Sequence, residues 1–261
     1  MIKLIASDLD GTLLDGDKRL PPGFHQMLQR LRERSIPFVA ASGRSFETLK
    51  ENFASYSGEL TFICDNGACL AENGRVVETD CLPLSDVLEI AAACRDIPEV
   101  SLLFCGVHVA YALSESTQFI DEVAHYYVSQ KRIFHLNELT DDICKIAVYD
   151  PLDASKNVYP ALRKRLGSRY TMAVSGLYWM DIMKKGVNKG KALYSLQQRL
   201  GVLPEETMAF GDFYNDVELL QQAAYSFVME NANEDMRRYG NFVAPSNLDY
   251  GVLKMIEKYV F

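Results

Sequence analysis

Two aspartates near the start of the chain, Asp8 and Asp10, are spaced so that their carboxylates could act together. They follow an apolar run at residues 2–6, which is typical of a buried strand in a parallel sheet, and Gly11 allows a sharp turn after them. We therefore expect both carboxylates at the carboxyl end of a strand, where open α/β sheets place their ligand sites. Two close carboxylates repel each other, and a hard divalent cation such as Mg²⁺ relieves that repulsion through oxygen ligands.

Other polar groups stand at the ends of later elements. Ser42, Asp212 and Asp216 follow predicted strands, and Lys189 precedes a predicted helix. In phosphoryl transfer, a carboxylate nucleophile can form an acyl phosphate, and a second carboxylate can protonate the leaving group and then deprotonate water. Hydroxyl and ammonium donors can hold the phosphoryl oxygens, while Mg²⁺ neutralises charge between phosphate and nucleophile. The order of these groups predicts one phosphoryl-transfer site.

The same residues stand in motifs that resemble those of a known family. The string Asp-x-Asp-Gly-Thr at residues 8–12 resembles the first motif of the haloacid dehalogenase (HAD) superfamily of aspartate-nucleophile phosphatases. Ser-Gly-Arg at 42–44, Gly-Val-Asn-Lys-Gly at 186–190 and Gly-Asp-x-x-Asn-Asp at 211–216 resemble the second, third and fourth motifs. The segment between the second and third motifs is similar to the large α/β cap, of C2 type, in the Cof-like subgroup. The resemblance covers the whole chain.

The resemblance implies a role for each matching residue. Asp8 is the expected nucleophile and Asp10 the expected general acid/base, and Asp8, Asp10 and Asp212 are the expected ligands of Mg²⁺. Asp10 is expected to bind the metal through its backbone carbonyl. The other implied roles are binding of the substrate phosphate by Thr12, Ser42, Gly43 and Lys189, possible substrate binding by Arg44, Asn66 and Asn215, and support of the metal ligands by Asn215 and Asp216.

Alternating strands and helices organise the two ends of the chain. Apolar runs and amphipathic periodicity predict a βαβαβ pattern before residue 81, and the pattern returns after Gly190. We therefore predict an α/β fold whose core, residues 1–81 and 186–261, is a Rossmann-like parallel sheet with helices on both faces. Residues 82–185 instead contain hairpin signals, which predict an inserted α+β cap domain.

Composition limits the possible functions. The chain has 261 residues and a formal net charge of −8, which argues against a general binder of nucleic acid or anionic membranes. It has no apolar run near the roughly eighteen residues of a membrane span, and its N-terminus leads directly into a strand, so no signal peptide is expected. Six scattered cysteines without a Cys-x-x-Cys pair predict reduced thiols in a cytoplasmic protein.

Three functions are compatible with these residues. The first is a Mg²⁺-dependent phosphatase that hydrolyses a small phosphorylated metabolite, such as a sugar phosphate or a phosphorylated cofactor, through an aspartyl phosphate. The second is a phosphotransferase or mutase that uses the same intermediate. The third is a non-catalytic regulator that binds a phosphometabolite, but a pure binder needs neither a nucleophile nor an acid/base. The substrate and the oligomeric state stay open at this point.

Overall fold

The computed structural model of the chain describes residues 1–56, 58–114 and 116–261. Its helices are α1 (Phe24–Glu33), α2 (Phe46–Asn52), α3 (Leu84–Cys94), α4 (Thr117–Ala124), α5 (Val158–Leu166), α6 (Lys189–Leu200), α7 (Val217–Gln221) and α8 (Gly251–Val260). Its strands are β1 (Leu4–Asp8), β2 (Phe38–Ala41), β3 (Thr61–Cys64), β4 (Cys69–Glu72), β5 (Arg75–Thr79), β6 (Ser101–Gly106), β7 (Ala110–Leu113), β8 (Gln130–Ile133), β9 (Ile143–Tyr149), β10 (Tyr170–Val174), β11 (Trp179–Lys184), β12 (Thr207–Gly211), β13 (Tyr225–Met229) and β14 (Phe242–Ala244).

These elements form two compact units. The first consists of Met1–Gly43, Ser55–Arg75 and Asn188–Phe261, and the second consists of Arg44–Ala54 and Val76–Val187. In the first unit the strands lie side by side in the order β14-β13-β12-β1-β2-β3-β4. All neighbouring pairs from β14 to β3 are parallel, and β4 runs antiparallel to β3. The predicted parallel-sheet core is therefore confirmed.

Helices cover both faces of this sheet because its strands are apolar on both sides. Val39 of β2 packs in one cluster with Leu193 of α6, and both side chains are fully buried. The preceding residue of β2, Phe38, points to the opposite face, where its ring meets the ring of Phe24 in α1 at a centroid distance of 5.5 Å. Burying a large apolar side chain stabilises the fold by about 1.5–3 kcal/mol, so these two layers of helices hold the strand ends in place.

The second unit is built on a different sheet, with the order β10-β11-β9-β6-β7-β8. Its pairs are antiparallel except for β7 with β8, as hairpin signals predict for most of this segment. Ile90 of α3 and Leu162 of α5 pack with Ile146 of β9 on one face. Phe119 of α4 packs with Ala147 of β9 on the other face. The unit therefore has an apolar core of its own.

The two units divide the chain differently from the predicted boundaries. Helix α2 was expected in the parallel-sheet core, but it belongs to the second unit. Its Thr48 hydroxyl donates a hydrogen bond to the carbonyl oxygen of Tyr126 at 3.2 Å, and Glu47 Oε1 lies 3.1 Å from His108 Nδ1. The second unit also includes residues 76–81, which were predicted to end the core.

No helix in the described parts of the chain has both the length and the apolar character needed to cross a membrane.

Candidate active site

The strand ends of the first unit bring the predicted residues to one edge of the sheet. Asp8 is the last residue of β1 and lies beside Ala41, the last residue of β2, so Ser42 follows at the same edge. On the other side of β1, the register pairs Ser7 with Phe210 of β12, and the loop with Asp212 begins two residues later. This register explains how Asp8 and Asp212, which are 204 positions apart in the sequence, meet in one site.

The loop after β1 depends on a glycine. Gly11 has φ of +84°, a conformation that side chains with a Cβ rarely adopt. A Cβ at this position would lie 2.3 Å from Asp212 Oδ2, so only glycine allows the backbone to approach that carboxylate. The carbonyl of Gly11 also accepts a hydrogen bond from the Asn231 side chain at 2.8 Å. The loop is therefore fixed from two sides.

Lys189 lies at the centre of the charged groups. It is the first residue of α6, its side chain is fully buried, and its Nζ lies 2.6 Å from both Asp8 Oδ1 and Asp216 Oδ1. An ammonium has three donors, so two carboxylate contacts leave one for a phosphoryl oxygen. Lys189 was predicted to bind the substrate phosphate, and the structure places its ammonium against Asp8, the predicted nucleophile.

Asp216 organises the loop after β12 instead of facing an open site. Its Oδ2 accepts the backbone N–H of Asp212 at 3.1 Å and that of Phe213 at 3.2 Å, while Oδ1 contacts Lys189. Both carboxylate oxygens are therefore engaged within the protein. This arrangement suits the predicted role of Asp216, which is to support a metal ligand.

The carboxylates outnumber the cations at the site. Burial, together with the charges of Asp216 and Asp212, raises the pKa of Asp8 well above its ordinary value, although Lys189 partly offsets this. Burial and the charges of Asp216 and Asp10 raise the pKa of Asp212 to about 6. Burial disfavours the charged form of Lys189, but Asp216 and Asp8 outweigh it and raise the pKa of the ammonium. One ammonium thus does not balance the negative charge.

This excess of negative charge fits a hard divalent cation. Carboxylate oxygens of Asp8, Asp212 and Asp216 lie within 4.8 Å of one another. Because both oxygens of Asp216 are engaged, Asp8 and Asp212 are the carboxylates best placed to hold an ion. A donor set made only of oxygen is the type that Mg²⁺ selects. The Asp10 side chain is exposed and outside this group of three, which is compatible with the backbone carbonyl as its predicted ligand atom.

Thr12, which was predicted to bind the substrate phosphate, contacts a candidate metal ligand in this structure. Its side chain is buried, and its hydroxyl donates a hydrogen bond to Asp212 Oδ1 at 3.0 Å. A hydroxyl has one proton to donate, so this bond uses the only donor of the Thr12 side chain. The role of Thr12 in phosphate binding stays a prediction, and the bond to Asp212 indicates a second role, which is to orient a candidate metal ligand.

The other predicted binding residues form a second network. The backbone N–H of Asn66 donates to the Ser42 carbonyl at 3.0 Å, and Asn66 Oδ1 accepts a hydrogen bond from Asn215 Nδ2 at 3.1 Å. Gly43 packs against the Asn66 amide, since a Cβ at Gly43 would lie 3.2 Å from Asn66 Oδ1. These contacts connect the loops after β2, β3 and β12. Arg44 lies in the second unit instead, where its Nη1 donates to Asn52 Oδ1 at 2.9 Å.

Two asparagines that sequence reasoning missed support the loop after β1. Asn231 contacts Gly11, as described above, and its Oδ1 accepts the backbone N–H of Asn247 at 3.1 Å. The Asn247 amide in turn donates to the carbonyl of Leu14 at 2.8 Å. Single asparagines in loops are usually turn residues, so their types and positions carried no signal of this contact.

Comparison with known proteins agrees with the geometry. The model of the haloacid dehalogenase-like hydrolase family matches residues 5–256. The 5-amino-6-(5-phospho-D-ribitylamino)uracil phosphatase YbjI of Escherichia coli (strain K12) is 31% identical over 259 residues, which cover 98% of this chain and 96% of that protein. The HMP-PP phosphatase of Escherichia fergusonii is 30% identical over 91% of this chain and 87% of that protein.

Solved structures give the same result. The crystal structure of SMU.1108c from Streptococcus mutans UA159 matches with a TM-score of 0.89 and 28% identity, and the match covers 100% of this chain and 99% of that one. The family predicted from the four motifs is thus confirmed. The chain belongs to the haloacid dehalogenase-like hydrolases, and it is a hydrolase of the phosphatase type.

Proposed function

We propose that the protein is a Mg²⁺-dependent phosphatase that hydrolyses a small phosphorylated metabolite through an acyl phosphate on Asp8. The observation that carries this proposal is the placement of the Asp8 carboxylate, buried at the tip of β1, 2.6 Å from Lys189 and grouped with Asp212. The names of both relatives describe phosphatases of small phosphorylated compounds, which supports a sugar phosphate or a phosphorylated cofactor as the substrate class. We place the enzyme in the cytoplasm, without a membrane or nucleic-acid partner, in keeping with its net charge of −8.

In this proposal, the reaction has two steps that use the chain's own groups. A carboxylate oxygen of Asp8 attacks phosphorus, the bond to the leaving oxygen breaks, and Asp10 donates a proton to that oxygen. Asp10 then takes a proton from water as the water attacks phosphorus, which releases inorganic phosphate and restores the Asp8 carboxylate.

The remaining residues bind and orient. Lys189 fixes the Asp8 carboxylate and offers its third donor to the phosphoryl group, with Ser42 and Gly43 as further donors at the same sheet edge. Asp8, Asp212 and the carbonyl of Asp10 would hold Mg²⁺, which when bound neutralises charge on the phosphoryl oxygens.

A screen of phosphorylated metabolites with Mg²⁺, in which released phosphate is measured, tests the proposal. We expect turnover of at least one compound, none in excess chelator, and none with Asp8→Asn at an unchanged melting temperature. Full activity in chelator or with Asp8→Asn would contradict the mechanism. Adding an acceptor alcohol to the assay distinguishes hydrolysis from phosphoryl transfer. A hydrolase releases equal amounts of leaving group and inorganic phosphate, whereas a phosphotransferase releases more leaving group than phosphate.

A further inference from the structure

We propose that Cys81 and Cys144 are a site of reversible oxidation, at which a disulfide links the segment before α3 to strand β9. The two Sγ atoms lie 3.5 Å apart, and both residues belong to the second unit. The residues with predicted catalytic roles belong to the first unit, so the proposed site does not include them. It therefore stands or falls independently of the proposed function.

The backbone places the two cysteines opposite each other. Leu82 and Ile143 form an antiparallel bridge in which the Leu82 N–H donates to the Ile143 carbonyl at 2.8 Å. One residue further along each segment, Cys81 therefore faces Cys144. Residues directly opposite in an antiparallel pair have Cα atoms roughly 4.5–5.5 Å apart, which is within the range that a disulfide spans. The bond can thus form without a large movement of the backbone.

Contacts on both sides of Cys81 hold it in this position. Leu82 is fixed by its bridge to Ile143, and on the other side Asp80 Oδ1 accepts a hydrogen bond from Lys184 Nζ at 2.6 Å.

Cys81 is also the most accessible thiol of the chain. It is half-buried, whereas Cys64, Cys69, Cys94, Cys105 and Cys144 are buried. Burial raises the pKa of Cys94 to about 12, so that thiol stays protonated and unreactive. A small oxidant therefore meets Cys81 first, and the thiol next to Cys81 is Cys144.

The chemistry is thiol–disulfide exchange with a low-molecular-weight disulfide. The Cys81 thiolate attacks one sulfur of the small disulfide, whose S–S bond breaks to release one small thiol. The Cys144 thiol then loses its proton and attacks Cys81 Sγ in the mixed disulfide, which releases the second small thiol. The two protein thiols are oxidised, and one small disulfide is reduced to two thiols. Disulfides in the cytosol are mostly transient or redox-sensing, so a reducing agent should reverse this one.

The test is exposure of the folded full-length protein to oxidised glutathione, followed by denaturation in an alkylating agent and mass spectrometry. Trypsin places Cys81 in the peptide 76–95 and Cys144 in the peptide 133–145. We expect these two peptides to be linked, four thiols to remain alkylatable instead of six, and dithiothreitol to restore all six. The melting temperature of the oxidised protein should rise by roughly 4 °C or more, since the bond closes a long loop.

Three variants identify the pair. Because Cys94 shares a peptide with Cys81, Cys94→Ala is the control in which the linked peptides must persist. Cys81→Ser, and independently Cys144→Ser, must abolish the link. The proposal is overturned if all six thiols stay alkylatable, if only glutathione adducts form, if the link survives Cys81→Ser, or if the bond joins Cys64 to Cys69, which lie opposite each other between β3 and β4.

Discussion

Lys189 is the residue on which the charge balance of the site depends. Lys189→Met would leave Asp8 and Asp216 buried without the cation that contacts both. Removing one partner from a buried ion pair costs about 3–5 kcal/mol. We expect a loss of that size in the free energy of unfolding, measured by urea denaturation in chelator, together with loss of phosphatase activity. Lys191→Met, on the exposed side of the same helix, is the matched control and should change stability by no more than about 0.5 kcal/mol. Equal effects of the two variants would contradict the central position of Lys189.

A substitution at Thr12 distinguishes two roles of its hydroxyl, which are orientation of Asp212 and binding of the substrate phosphate. If it orients Asp212, as the 3.0 Å hydrogen bond indicates, Thr12→Val should raise the Mg²⁺ concentration needed for half-maximal activity. Groups that orient metal ligands typically contribute about 10–100-fold in metal affinity or activity. Thr12→Ser keeps the hydroxyl and should stay close to wild type. If Thr12→Val instead raised KM for substrate at an unchanged Mg²⁺ requirement, the predicted role in phosphate binding would be supported.

Among the elements, the turn after β3 is fixed against the start of α6. Gly67 has φ of +103°, and a Cβ there would lie 2.2 Å from the carbonyl oxygen of Asn188, the residue that caps the helix of Lys189. Gly67→Ala should therefore displace the helix start and lower both kcat and stability. Gly186→Ala is the matched control, because Gly186 has φ of +82° but no atom within 4 Å of the added Cβ. Strain from φ alone lowers the free energy of unfolding by about 1–3 kcal/mol in both variants. Gly67→Ala should therefore lower the melting temperature more than Gly186→Ala does. Equal decreases in melting temperature would show that the contact with Asn188 is unimportant.

Elements with a strong apolar pattern were predictable from the sequence. The parallel strands around Asp8 are buried on both faces, so they read as continuous apolar runs whose ends could be located. Because the chemistry-bearing residues follow those ends, the sequence also predicted which of them would meet. The fourth motif, with Asp212, was placed correctly beside the first for the same reason.

Elements that depend on tertiary contacts were not predictable in this way. Strand β8 is polar and largely exposed, and it has no apolar period. Strands β4 and β5 are an exception, because the Asn-Gly pair at residues 73–74 between them is a sequence signal for a hairpin turn and was overlooked. Helix α2 contacts His108 and the carbonyl oxygen of Tyr126 in the second unit, and no local pattern encodes these distant contacts. The bond from Thr12 to Asp212 is likewise a contact across the fold.

On the scale of the whole molecule, the two units carry different predicted roles. The predicted catalytic and metal-binding residues lie in the first unit, so we propose that the inserted segment 82–185 discriminates among substrates. Replacing it with a short linker should raise KM and flatten the preference among phosphorylated metabolites, while slow hydrolysis of p-nitrophenyl phosphate persists. Helix α2 would lose its partners in this variant, so circular dichroism and thermal melting must first show a folded core. A folded variant that kept the full selectivity of the chain would place discrimination in the first unit.

The central claim is that Asp8 carries the phosphoryl group, and trapping that group tests it most directly. In Asp10→Asn, p-nitrophenyl phosphate should still phosphorylate Asp8, because p-nitrophenolate leaves without a proton, whereas hydrolysis of the acyl phosphate loses its base. We therefore predict a burst of one p-nitrophenolate per enzyme. After acid quenching, borohydride should reduce the acyl phosphate to an alcohol at residue 8 of the tryptic peptide 4–18. Turnover without a burst, or reduction at a carboxylate other than Asp8, would contradict the account.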